Sequence, residues 1–233
     1  MSRSFVAIFF VVTVLFGGIG IAKAQVVEHD GVITLTFEGI GDQRFVGDYY
    51  NGGVGGNYGI SFSSNTLALV DSDAGGSGNF GGEPSPDTDI TFLTEGSILM
   101  NVLNGITGGL SFYYTAPNYT GSILVYGGLN GTGDVLALLT LPLTPLNGAP
   151  DPHGSNSPFI AFGVDFEGTA YSVRFRGTSN QIGFDNITLG SSIPYPNPNT
   201  TPDPSAPTPE PATLLLMGAG LLGLLGMRRR FKK

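Results

Sequence analysis

Val32-Ile33-Thr34-Leu35-Thr36-Phe37 alternates apolar and hydroxyl-bearing side chains without a break. Successive side chains of an extended chain point to opposite faces. Ile33, Leu35 and Phe37 therefore share one face, and Thr34 and Thr36 the other. That period is the mark of a half-buried strand. Short segments of the same kind follow at 60–62, 67–70, 90–93, 98–102, 110–114, 123–126, 135–141, 159–166, 171–175 and 182–189.

Turn chemistry separates them. Residues 39–59 read as a loop centred on Gly52-Gly53-Val54-Gly55-Gly56. Residues 71–89 form a long acidic, glycine-rich loop, and 142–158 another loop rich in proline. Gly127, Gly128, Asn130, Gly131, Gly133 and Asp134 cluster between two apolar runs. Ten or eleven short strands, with turn signals every 8–12 residues and no helical period, predict an all-β domain. A single β-sandwich of the jelly-roll form fits that spacing. The domain spans 25–190, long enough for a core of its own. Residues 191–208 carry six prolines and predict a semi-extended linker.

Both ends of the chain read as address labels. Arg3 supplies a positive start, residues 5–21 are apolar, and Ala22-Lys23-Ala24 is a small-residue cleavage pattern. Residues 1–24 thus predict a secretory signal peptide cut between Ala24 and Gln25. At the other end Pro209-Glu210-Pro211 precedes an uncharged run at 212–227, followed by Arg228, Arg229, Arg230, Lys232 and Lys233. As a helix the run would span about 24 Å, against a bilayer core of about 30 Å. The cations would stay cytoplasmic and everything upstream would lie outside. The two prolines favour an extended entrance, within reach of a membrane protease.

The stretch 209–233 resembles the PEP-CTERM sorting signal of bacterial exopolysaccharide-associated proteins. The resemblance implies that Pro209, Glu210 and Pro211 are recognised by an exosortase, a membrane-embedded cysteine protease. It implies removal of the helix and delivery of the upstream domain to the cell surface or extracellular matrix. A plain C-terminal anchor that is never cut is the alternative reading of the same residues.

The charge fits an exported setting. Between the two labels, three arginines stand against seventeen acids, a formal −14, and there is no lysine. Such a surface repels nucleic acid. The chain has no cysteine, which excludes a disulfide framework, thiolate metal sites and cysteine nucleophiles.

Leu35-Thr36-Phe37-Glu38-Gly39 and Gly183-Phe184-Asp185-Asn186-Ile187-Thr188-Leu189 resemble the first and last strands of secreted jelly-roll modules, among them carbohydrate-binding modules and MAM-type domains. That resemblance implies adjacent terminal strands and a structural Ca2+ held by an acid from each, here Glu38 and Asp185. The plainer alternative has Asp185 bonding a turn and Glu38 in water. Asp71-Ser72-Asp73-Ala74-Gly75-Gly76 spaces two acids as a calcium loop does. It lacks the later ligands of that motif, so a mobile solvated loop is expected.

Catalytic signals are sparse. His29 and His153 sit in no metal or nucleophile motif. A carboxylate pair for glycoside hydrolysis would need only suitable spacing, and no pair stands out among the acids. Tyr49, Tyr50, Tyr58, Tyr113, Tyr114 and Tyr126 offer either a sugar-stacking face or core packing. The expectation is a non-enzymatic envelope or matrix protein, with exosortase and exopolysaccharide as partners and a membrane helix before processing. A carbohydrate-binding module is the alternative, and a glycoside hydrolase a third reading.

Overall fold

The computed structural model describes residues 26–29, 31–145 and 154–196. Residues 1–24, expected as a signal peptide, His153, the expected linker beyond Pro196 and the tail 209–233 lie outside the described residues. The strands are β1 (Val26–His29), β2 (Val32–Leu35), β3 (Arg44–Phe45), β4 (Asn51–Gly53), β5 (Gly56–Asn57), β6 (Ile60–Phe62) and β7 (Thr66–Val70). They continue with β8 (Thr88–Phe92), β9 (Ser97–Thr115), β10 (Gly121–Tyr126), β11 (Val135–Leu141), β12 (Ile160–Arg176) and β13 (Gly183–Leu189). A 3-10 turn at Leu129–Gly131 is the only helical piece among the described residues. The described residues are all-β, and no helix among them is long and apolar enough to cross a membrane.

Two long strands organise the domain. β9 and β12 pair antiparallel along both their halves, with Ser97–Asn101 opposite 172–176 and 108–114 opposite 160–166. The register breaks between Phe166 and Ser172, where only Ala170 pairs, with Ile106. Beyond the break each half takes different neighbours. The first half of β9 pairs with β6 through Met100–Val102, and the second half pairs with β13. The strand pair thus passes from one layer of a sandwich into the other. One layer holds β6, β9, β12, β10 and β11; the other holds β12, β9 and β13, flanked by β8-β7-β3 and β2-β1. Phe175 of the first layer meets Phe184 and Phe112 of the second, with ring centroids 5.0 and 5.9 Å apart. These rings are the middle of one contiguous core.

The segments read as separate strands at 98–102 and 110–114 are one strand, as are those at 159–166 and 171–175. Gly105, Gly108 and Gly168 have φ of 69°, 87° and 86° and bend the strands without ending them. The expected loop at 39–59 contains β3 and the small β4–β5 hairpin.

The opening strand is also shorter than its alternation suggests. β2 stops at Leu35, and Phe37 sits at φ 60° with its N–H donating to Tyr50 Oη at 3.1 Å. Nor is the strand half-buried. Thr34 and Thr36 are as buried as Leu35 and Phe37. On the β13 side the hydroxyls of Thr34 and Thr188 meet at 2.9 Å, and the pairing Thr34↔Thr188 places the two ends of the domain side by side.

A buried hydroxyl stripped of its partner keeps its desolvation cost of about 1–3 kcal/mol. Thr188→Val is therefore expected to cost about 1–2 kcal/mol in urea unfolding. The double variant T34V/T188V is expected to cost less than the two single changes added. Strict additivity would show that the contact contributes nothing.

Candidate functional site

The second layer turns one face to the aromatic core and the other outward. Ile90 and Phe92 of β8, Phe112 and Tyr114 of β9 and Phe184 of β13 belong to the core. The alternate residues, Asp89 and Thr91, Tyr113 and Thr115, Gly183 and Asp185, therefore stand on the outer face. Such a face normally meets water. Here the loop between β7 and β8 and the segment 154–159 cover it. Phe80, Tyr113 and Phe159 form a second apolar cluster, with Phe80 and Phe159 edge to face at 6.0 Å. The two covering segments are pinned together: Asn156 N donates to the Asn79 carbonyl at 3.0 Å, and Ser157 Oγ to the Gly81 carbonyl at 2.7 Å.

The loop at 71–79 is accordingly not a simple solvated excursion. Asp71 is buried, its N–H donates to the Asp87 carbonyl, and its own carbonyl accepts from Gly76 N. Asp42 Oδ1 accepts Val70 N at 3.1 Å and Ser77 Oγ at 2.9 Å, tying the loop to the strand before it. Residues 72–75 remain exposed.

Glu38 and Asp185 are brought to one segment, Ser85 to Thr88. Glu38 Oε1 accepts the N–H groups of Asp87 and Thr88, both at 2.9 Å. Asp185 Oδ2 accepts Ser85 N at 3.1 Å and Ser85 Oγ at 2.7 Å, and its Oδ1 accepts Asn186 N at 2.6 Å. Ser85 Oγ also lies 3.2 Å from the Thr36 carbonyl. Asn186, at φ 47°, is the bulge where β13 exchanges β8 for β2 as neighbour. Both acids are buried, and burial pushes the Asp185 carboxyl up to about 8, against the Ser85 and Asn186 donors and with the Glu38 charge.

Calcium takes six to eight oxygens at hard, partly carboxylate sites. Two carboxylates and the Thr36 carbonyl meet part of that need. Among the described residues no group of three or more His, Asp or Glu is placed to hold a metal ion.

Asp89 is the residue that the sequence did not single out. It is 2% exposed, and burial, followed by the charges of Asp185, Glu83 and Asp71, pushes its carboxyl well above the ordinary range. It lines a cavity of about 430 Å³ together with Thr91 and Thr115. In sequence, Asp89 and Thr91 alternate with Ile90 and Phe92 as residues of a water-facing strand would. The covering loops, with Ile182 and Gly183 alongside, bury them.

The six tyrosines do not make one exposed platform. Tyr50, Tyr113 and Tyr114 are buried, and Tyr49, Tyr58 and Tyr126 are half-buried. Tyr114 Oη donates to the Pro142 carbonyl, and Tyr49 packs edge to face on Tyr50. His29 lies exposed on β1, its ring 6.3 Å from that of Tyr195.

Several solved structures resemble part of the chain. The K2 cleaved adhesin domain of Lys-gingipain is 13% identical, over 69% of this chain and 98% of its own, with a TM-score of 0.44. The carbohydrate-binding module CBM35 from Paenibacillus barcinonensis is 19% identical, over 57% and 94%, with a TM-score of 0.33. A carbohydrate-binding module of Cellvibrio mixtus lichenase 5A in complex with cellotriose is 13% identical, over 55% and 87%, with a TM-score of 0.32. No protein of curated function matches the chain. Residues 207–230 match the PEP-CTERM protein-sorting motif. The described domain is thus all-β, and downstream of it the chain carries the sorting motif of exported, exosortase-sorted proteins.

Proposed function

We propose that the β-domain is a non-enzymatic constituent of the cell envelope or extracellular matrix, associated with exopolysaccharide once its tail has delivered it. The observation that carries this reading is the sorting motif at 207–230. The acidic, lysine-free composition of the exported part supports it, since such a surface suits a hydrated, cation-containing matrix. A carbohydrate-binding module is the second reading. It is favoured by the polar cavity beneath the covering loops, a concave site of the kind that takes small polar ligands.

A structural calcium ion at Glu38 and Asp185 belongs to the same proposal. When bound, the ion would supply positive charge to two buried carboxylates. The residues themselves already hold the ends of the domain together: Asp185 on β13 and Glu38 just after β2 are both tied to Ser85–Thr88.

Cell fractionation tests the main reading. The protein is expected in the envelope and matrix fractions and is expected to be released when the matrix polysaccharide is digested. Recovery of the intact chain from the cytosol, with both ends unprocessed, would overturn it. No turnover of chromogenic glycosides or esters is expected from the purified protein; sustained turnover would establish the hydrolase reading instead.

A further inference from the structure

The cavity under the covering loops has a floor and a rim of distinct chemistry. The floor is Asp89 and Thr91 of β8 and Thr115 of β9, on either side of β13 in the second layer. Thr91 Oγ1 is engaged, donating to the Ile182 carbonyl at 2.7 Å. Asp89 Oδ1 and Thr115 Oγ1 are buried with no hydrogen-bond partner among the described residues. Each such group costs about 1–3 kcal/mol when left unmet. The other Asp89 oxygen lies so close to Gly183 that a Cβ there would collide with it. Glycine at that position is what lets the carboxyl sit against β13.

The rim carries carboxamides from four separate loops: Asn79, Asn118, Asn156 and Gln181. Asn118 Nδ2 donates to Gln181 Oε1 at 3.3 Å, and Asn156 Nδ2 to the Asn79 carbonyl at 2.9 Å. Carboxamides present donors and acceptors together without charge. A volume of about 430 Å³ falls in the range of about 300–1,000 Å³ found for small-molecule sites.

We propose that this cavity binds one ring of a neutral polyhydroxylated ligand, a pyranose unit of a glycan, with its hydroxyls held by Asp89, Thr115 and the surrounding carboxamides. The inference deepens the proposed matrix association and rests on it, by naming where the polymer would be gripped. A metal ion fits less well, because two unmet oxygens fall far short of a hard cation's shell and the space is too large. An anion would meet a buried acid in a domain of strongly negative charge. An apolar ligand would leave both floor oxygens unmet. Burial favours the protonated form of Asp89, which offers a sugar hydroxyl a donor as well as an acceptor.

The test uses the full chain in detergent, probed by saturation-transfer NMR with methyl pyranosides of glucose, galactose, mannose and N-acetylglucosamine. Saturation transfer to at least one of them is expected. Thr115→Val keeps the side chain's shape and removes the floor hydroxyl; it is expected to weaken binding about tenfold. Asn118→Ala alters an exposed rim residue, leaves folding intact and is expected to weaken binding about threefold. The melting midpoint of each variant controls for folding. No transfer from any of the four pyranosides overturns the proposal, and so does binding unchanged in both variants.

Retention on matrix polysaccharide separates the two readings. If the variants stay on the polymer as well as the parent does, the cavity is not the grip although the association stands. If the parent binds a pyranoside but not the polymer, the cavity stands and the matrix association fails.

Discussion

Glu210→Ala is expected to leave the sorting tail uncut. In an exosortase-bearing host the parent chain should be recovered without its apolar run and basic end, and the variant should be recovered ending at Lys233. The expected effect is close to all-or-none, because it concerns a protease's recognition of its substrate and not a graded stability. The physical basis is the order of three parts. Pro209-Glu210-Pro211 stands before an uncharged run of sixteen residues, and five cations follow it. As a helix the run would be short for a bilayer, and the cations would then hold its inner end by snorkelling. Replacing Arg228, Arg229 and Arg230 with glutamate should therefore weaken retention at the membrane as well as processing. Mass spectrometry of the mature C-terminus checks both variants. A parent chain that itself ends at Lys233 in the envelope would leave only the uncut anchor.

How far the sequence foretold this molecule depends on what each element answers to. Strand existence follows from local alternation, and every segment read as a strand in the described residues carries strand pairing. Strand length does not. Gly105, Gly108 and Gly168 look like punctuation, yet pairing between β9 and β12 resumes beyond the bends. Burial of the second face is not local either. Thr34 and Asp89 have the spacing of solvent-facing residues, but partners over a hundred residues away or a covering loop decide their surroundings. Glu38 and Asp185 stand out in the sequence only through the resemblance of the domain's ends to jelly-roll modules; β2 and β13 do adjoin, and each acid bonds the segment Ser85–Thr88. The cavity was not legible, since its rim is assembled from four loops that share no motif.

In a chelator the domain is expected to lose stability as pH rises from 4 to 9. Asp185 is wholly buried, and its carboxyl is pushed up to about 8 in the folded protein, against about 3.9 in an unfolded chain. The folded state therefore holds this proton more tightly than the unfolded one. The resulting stabilisation is fully present below about pH 4 and is lost as pH rises through about 8, with a slope of up to about 1.4 kcal/mol per pH unit from this group alone. Asp89 acts in the same direction. The local bonding can serve the protonated form: a proton on Asp185 Oδ2 faces Ser85 Oγ at 2.7 Å, and the Ser85 hydroxyl faces the Thr36 carbonyl at 3.2 Å. Asp185→Asn removes the titration and should flatten the profile. It also turns one of two accepting oxygens into a donor facing N–H groups, so its stability at pH 4 should fall below that of the parent. Added calcium would favour the ionised pair Glu38–Asp185, and should raise the melting midpoint at pH 8 while leaving it unchanged at pH 4. Urea unfolding across this pH range, with chelator and with calcium, reads all three effects. A flat profile in chelator would show that these acids do not lose their protons on unfolding, and an unmoved midpoint at pH 8 would remove the structural ion.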